Sequence, residues 1–360
     1  MTFTKSIFPP VPGSDPVEHY EIGSILAVLA ECGCRCRPVK TVVSYQVTTY
    51  HFDFVNPLQY KNVQKAVKVL EMLTHTTVTM RHSDFAHFAI EIPHDRSQRR
   101  TAYAVNAIFD RDAVDKSAEN RLCLSAGYDT AGRVVTIDLE SAPHLLIAGT
   151  TGSGKSVLLN TLLVSLLTNC APGQVGLVLI DPKQVELSPY ESCSHLAMPI
   201  ATDTQSAMNA LRKVVAVMED RYYGMRKHGV KNYRQLDLAP IVVCIDELAD
   251  LMLTSKFEVE DLVVRIAQKG RAAGIHMILC TQRPSVNVVT GLIKANIPSR
   301  IALTCASFRD SITIIDHGGA EKLTGRGDAI LKMGDTIEEI RFQSAYCREE
   351  DIEAIIKFKM

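Results

Sequence analysis

The chain has 360 residues, with 39 Lys plus Arg against 40 Asp plus Glu, a formal net charge of −1, and 46% hydrophobic and 22% charged residues. At about 150 residues per domain this means two domains, or one large domain with an appendage. The near-zero charge excludes a global basic field, so any DNA contact must be local. The composition excludes long disorder, collagen-like repeats and a coiled-coil rod. No apolar run reaches the roughly 18 to 20 residues that a membrane-spanning helix needs, and the first residues lack the apolar core of a secretory signal. A cytoplasmic protein is expected.

Residues 1–40 carry Pro9, Pro10, Pro12, Gly13 and Pro16 ahead of a helical pattern from Glu18 to Cys32, which predicts an N-terminal arm and helix. Cys32, Cys34 and Cys36 are either reduced structural thiols or a metal site; the spacing lacks a matching Cys or His pair and favours thiols. From Thr41 the run Val42 to Phe54 is β-branched and aromatic. Pro57 to Leu73 has helical spacing, and Thr76 to Met80 and Phe85 to Ile92 return to strand. This predicts a small α+β domain closing near Pro93. Asp95 to Arg100 is a solvated linker or a nucleic-acid contact, and Ala113 to Asn120 is connector, so the small domain and its connector fill 41–120.

The rest, 121–360, alternates β-rich apolar runs with helical patterns. Strands are predicted at Leu145 to Ala148, Val175 to Ile180, Ile241 to Ile245, His276 to Cys280, Arg300 to Thr304 and Asp328 to Lys332. Helices are predicted at Lys155 to Thr168, Asp203 to Lys227, Glu258 to Gly270 and Phe308 to Asp316. Such alternation specifies an α/β fold, a parallel sheet with helices on both faces.

Gly149, Thr150, Thr151, Gly152, Ser153, Gly154, Lys155 and Ser156 match G-x-x-x-x-G-K-[ST] between a predicted strand and a predicted helix. Glycines let main-chain amides curl round phosphate oxygens. Lys155 would reach the β and γ phosphates and the Ser156 hydroxyl would ligate Mg2+. Ile241 to Glu247 is a buried strand ending in two acids. Asp246 would orient Mg2+ and Glu247 would act as general base; the pair can also cap the following helix. Gln282, at the end of another apolar strand, is placed to touch the γ-phosphate or the attacking water. Arg271 is either a helix-dipole partner or an arginine finger for a neighbouring subunit's site. Basic residues gather from Arg221 to Arg234, including Arg226, Lys227, Lys231 and Arg234, as a nucleic-acid contact or a solvated face. Lys294 is a separate candidate for a phosphate contact.

Together, Ala148 to Ser156, Leu179-Ile180-Asp181-Pro182-Lys183, Ile245 to Leu251, Arg271 to His276, Thr281 to Ser285, Gly291 to Ala302 and Gly318 to Asp328 resemble the motor of the FtsK/SpoIIIE family of DNA-pumping ATPases. The likeness covers roughly Pro143 to Ile356. Tyr50 to Phe54 and the strands after it resemble, less specifically, the small domain that precedes the motor in this family. The resemblance implies a RecA-like P-loop NTPase that uses ATP and Mg2+, with ATP sites between subunits of a hexameric ring around double-stranded DNA. An N-terminal membrane region and a C-terminal winged helix, which family members carry, are not expected here, and the segment from Leu331 to Arg341 is short for the family's pore loop. The expected function is an ATP-driven DNA translocase for transfer or segregation of a mobile element; a membrane or relaxase partner is not visible in the sequence. The alternatives are a protein-moving secretion ATPase and a nucleotide-regulated scaffold.

Overall fold

The computed structural model describes residues 5–9, 19–82, 86–95, 97, 99–112, 122–334, 336 and 339–359. The prolines of the arm at 10–16, Phe85 and the connector Ala113 to Asn120 lie outside the described residues. Two compact units emerge, one from Pro12–Ala102 with Tyr128–Arg133, the other from Met1–Val11, Tyr103–Gly127 and Val134–Met360.

The smaller unit contains α1 (Ile22–Glu31), β1 (Cys36–Val43), β2 (Val47–Phe54), α2 (Tyr60–Thr74), β3 (Thr79–His82) and β4 (His87–Pro93). Its antiparallel sheet runs β1-β2-β4-β3. The single run expected from Val42 to Phe54 is a hairpin, because Ser44 closes a tight turn by donating both its amide and its hydroxyl to the Val47 carbonyl. Val63, Ala66 and Leu70 recur at helical spacing on α2 and meet Tyr50, Phe52, Phe88 and Ile90. Ile25 and Leu29 of α1 lie in the same core, so α1 packs with this sheet, whereas the sequence grouped it with the arm. Cys34 is part of that core, and burial, helped by Cys34, pushes the Cys36 thiol up to about 12. Among the described residues no group of three or more His, Cys, Asp or Glu is placed to hold a metal ion.

The larger unit carries α3 (Ala104–Asp112), β5 (Cys123–Asp129), β6 (Val134–Asp138), β7 (His144–Ala148), α4 (Lys155–Asn169), β8 (Gly176–Ile180) and α5 (Thr204–His228). There follow β9 (Ile241–Ile245), α6 (Leu248–Ala273), β10 (Ile275–Thr281), α7 (Gly291–Asn296), β11 (Ser299–Leu303), α8 (Phe308–Ile315), β12 (Asp328–Lys332), β13 (Glu339–Ser344) and α9 (Glu349–Lys359). The sheet order is β6-β5-β13-β12-β11-β7-β10-β9-β8. From β11 to β8 every pairing is parallel, giving the RecA-like P-loop α/β fold. The sheet is parallel-rich rather than wholly parallel, as β12 runs antiparallel to both β11 and β13. A short connection between β12 and β13 allows only that direction, since a parallel return needs a long crossover.

Alternation along the central strands explains why both faces are buried. Val178, Ile180, Val243, Ile245, Met277 and Leu279 point to the α5 and α6 side, and the intervening residues point the other way. Helix α6 begins ten residues before the predicted Glu258. Glu247 caps it by accepting from the Ala249 amide, and a non-helical Ser255 (φ −141°, ψ 50°) breaks the apolar pattern before Glu258.

His144 on β7 and His276 on β10 are both buried, and among the described residues neither ring makes a well-aligned hydrogen bond. Burial, with the neighbouring His276 adding, lowers His144 to about 3, and burial lowers His276 to about 4, from an ordinary 6.5. Between pH 6.5 and about 4 the unfolded chain therefore binds protons that the folded chain refuses, so stability falls as pH falls through that window. Each histidine contributes on the order of a few kcal/mol across it. The thermal midpoint of His144→Leu is expected to fall less steeply than wild type from pH 6.5 to 4, and parallel curves would refute this role.

Candidate active site

The strand order brings distant segments together: β10 lies between β7 and β9. The loops leaving the carboxyl ends of these three strands carry Gly149 to Ser156, Asp246 with Glu247, and Gln282. Sites of parallel α/β sheets form at this edge.

The loop after β7 is held on two sides. Thr150 donates its amide (2.9 Å) and hydroxyl (3.0 Å) to the Thr304 carbonyl, and Gly327 donates its amide to the Ser153 carbonyl at 2.7 Å. Gly154 adopts φ +103°, and a Cβ there would stand 2.6 Å from the Gly327 nitrogen, so no other residue fits. Gly152, at φ +77°, faces open space. Lys155 opens α4, whose first-turn amides have no acceptor within the helix, and half-buried Ser156 follows it. Curled amides, a helix N-terminus and an ammonium make a cradle for phosphate groups. Beside it the hydroxyl of Ser156 and the carboxylate of Asp246 form an all-oxygen donor set of the kind Mg2+ takes. The Ser153 hydroxyl is buried without a partner.

Lys155 Nζ donates to both the main-chain oxygen and Oδ1 of Asp246, each at 2.7 Å, with the two side chains 2% and 3% exposed. Burial alone would lower the lysine's pKa, but the neighbouring Cys280, Asp246 and Glu247 together outweigh it and hold the ammonium above its ordinary value. Glu247 is buried at the N-cap of α6, and its carboxylate accepts from Thr281 Oγ1 at 2.7 Å and from the Gln282 amide at 3.0 Å. The Gln282 side chain accepts from the Thr151 hydroxyl at 2.6 Å. Lys155, Asp246, Glu247, Gln282 and the glycine-rich loop therefore meet in one place.

Arg271 does not join them. It is exposed at the last turn of α6, a helix of 26 residues that starts at the site and ends where β10 begins. From there the seven residues of β10 lead back to the site, and at about 3.3 Å per residue that places Arg271 on the order of 20 Å from Gln282, at the opposite end of the strands. The end of α5 lies beside it: Arg221 donates to the Ala273 carbonyl at 2.6 Å and Tyr222 to that of Lys269 at 2.8 Å. Arg226, Lys227 and Lys231 are exposed there, while Arg234 pairs with Glu140 at 2.6 Å. Lys294 pairs with Asp316 at 2.7 Å, and Arg300 and Lys332 pair with the same carboxylate. Burial works against ionising Asp316, but the bonds from these three cations hold its carboxyl well below the usual range. Three cations around one anion leave that cluster net positive.

Two side chains beside the site have no role from motif spacing. Asp181 is buried and accepts the amides of Lys183, Gln184, Val185, Glu186 and Leu187. The loop thus fixed holds Lys183 Nζ 3.4 Å from Asp250 and 3.9 Å from Glu247. The signal in the sequence is an acid at a strand end followed by proline and lysine, but only folding shows what the lysine faces.

A profile of the FtsK/SpoIIIE family matches residues 105–239 and 233–286. The chain is similar to the DNA translocase FtsK of Streptococcus pneumoniae, 48% identical over 257 residues, which is 67% of this chain and 34% of that protein. It is also similar to the DNA translocase FtsK of Caldanaerobacter subterraneus, 45% identical over 280 residues, 75% of this chain and 38% of that protein. The chain thus spans about a third of the length of the curated relatives it matches. In fold it is similar to the pCW3 conjugation coupling protein TcpA solved with ATPgS, at 22% identity and TM-score 0.65, covering 94% of this chain and 99% of that one. The cytoplasmic domain of the Thermomonospora curvata type VII secretion ATPase EccC gives 24% identity and TM-score 0.60 over 68% of this chain and 32% of that one.

Proposed function

Because the chain belongs to the FtsK/SpoIIIE family, we propose that it is an ATP-hydrolysing motor that translocates double-stranded DNA. The observation that carries this reading is the convergence of Lys155, Asp246, Glu247 and Gln282 on one glycine-rich loop. Gly149 to Gly154 and the start of α4 cradle the phosphates, with Lys155 carrying positive charge to the β and γ groups. Ser156 and Asp246 would hold Mg2+, which when bound would neutralise phosphate charge. Glu247 accepts the proton of the attacking water, and Gln282 senses the γ-phosphate beside Thr151.

Arg271 is too far along α6 to serve the site of its own chain. In this reading it is the finger of a neighbouring copy's site, which requires a homo-oligomer, and the family resemblance points to a hexameric ring. Arg226, Lys227, Lys231, Arg234 and the net-positive cluster at Lys294 supply phosphate contacts to DNA without reading bases. The motor works in the cytoplasm, where its ATP is made.

The second reading, a protein-moving secretion ATPase, has only a likeness in fold behind it. Identities of 45% and 48% to proteins named DNA translocases favour DNA. The test is the ATPase rate with and without linear double-stranded DNA. A marked stimulation that grows with duplex length is expected; no response at any length overturns the proposal.

A further inference from the structure

Glu247 presents two oxygens in unequal surroundings. Oε1 accepts from Thr281 Oγ1 at 2.7 Å, the Ala249 amide at 3.2 Å and the Gln282 amide at 3.3 Å. Oε2 accepts from the Gln282 amide at 3.0 Å, with the Lys183 ammonium 3.9 Å away, beyond hydrogen-bond reach. A carboxylate has about four lone-pair positions, two on each oxygen. Among the described residues Oε1 is therefore fully used and Oε2 retains room for one more donor.

The direction of the Thr281 hydroxyl is itself fixed. Its oxygen accepts the Arg283 amide at 3.1 Å, so its single proton is left to point at Glu247. Thr281 is wholly buried as the last residue of a fully buried strand, and Glu247 is nearly so. Neither can exchange this bond for one to bulk water. A charge-assisted hydrogen bond of this kind is roughly twice as strong as a neutral one, and it is the shortest contact that Glu247 makes.

We propose that Thr281 is a positioning residue for the reaction: it anchors Oε1 and so turns Oε2 towards the γ-phosphate as the oxygen that takes the proton. This inference rests on the reading of Glu247 as general base. In the step itself, one O–H bond of the attacking water breaks and its proton passes to Oε2. The water oxygen bonds to the γ-phosphorus as the bond to the bridging oxygen breaks, and that electron pair leaves on ADP. Lys183, held opposite Oε2 by the loop that Asp181 organises, keeps positive charge beside the carboxylate without occupying the lone pair that the proton needs.

Removing the hydroxyl frees the carboxylate to rotate while leaving the phosphate cradle intact, so the loss falls on turnover and not on nucleotide affinity. The experiment compares Thr281→Val, Thr281→Ala and Thr281→Ser in the full chain with linear duplex DNA present. It measures kcat and KM for ATP, and the Kd of a fluorescent ATP analogue. Thr281→Val and Thr281→Ala are expected to lose about tenfold or more in kcat, up to the roughly 10²- to 10⁴-fold that loss of a positioned base costs, with Kd within twofold of wild type. Thr281→Ser, which keeps the hydroxyl, is expected to recover most of the rate. Val and Ser variants that turn over alike, at the wild-type rate or far below it, overturn the proposal. Full turnover by Glu247→Gln overturns instead the base reading on which it stands, so the two failures are distinguishable.

Discussion

Lys155→Ala is expected to lose both nucleotide binding and turnover, whereas Glu247→Gln is expected to keep ATP bound and lose turnover by about 10²- to 10⁴-fold, the usual contribution of a positioned base. The difference follows from what each side chain touches. Lys155 lies within the glycine-rich cradle and pairs with Asp246. Glu247 is held by hydrogen bonds from Thr281, Gln282 and Ala249, with Lys183 more distant. Removing the ammonium also strands Asp246 as a buried unpaired charge, a change that costs about 3 to 5 kcal/mol in comparable pairs. A thermal midpoint must accompany the binding assay, and it is expected to drop for Lys155→Ala and to hold for Glu247→Gln. Equal loss of nucleotide affinity in both variants would refute the division of roles.

Arg271→Ala alone is expected to reduce ATPase by about 10³-fold or more, the usual effect of removing an arginine finger. Mixing it with Lys155→Ala should restore part of the rate. In a mixed assembly some interfaces pair an intact cradle with an intact arginine, which neither pure protein contains. The placement of Arg271 at the far end of α6 makes this test decisive, since no movement of a side chain spans that distance within one chain. Absence of recovery in assemblies shown to be mixed would return Arg271 to a helix-dipole role.

The sequence made legible what repeats with a period or sits in a motif. The strands around the site fell within a residue of their places because β7 to β10 are short, largely apolar and bounded by turns. The glycine-rich loop, Asp246, Glu247 and Gln282 were readable for a similar reason, as each ends such a strand. Elements at the sheet's other side were not. β5, β6 and β13 carry Ser125, Gly127, Asp129, Thr136 and Gln343 among their apolar residues, and nothing local says that they join the same sheet. Thr281 and Lys183 lie in segments that carry the family resemblance, but their roles were not legible because their meaning lies in what faces them across the fold. Lys294, expected as a phosphate contact, is also tied to Asp316, a pairing between residues far apart in sequence that no pattern announces.

Helix α6 has a mechanical consequence. Its first turn is capped by the base of one site and its last turn carries the arginine proposed for the next, so in a ring each such helix is a rod joined at both ends to a different catalytic event. A rigid rod would force the two ends to move together, and neighbouring sites would fire in strict alternation or not at all. The single non-helical residue Ser255 (φ −141°, ψ 50°) sits near the base, giving the rod one joint. About two thirds of its length lies on the arginine side, so a small rotation at the joint moves the distant tip while the base stays in its clamp. The timing between adjacent subunits would then be set by the stiffness of one residue's backbone.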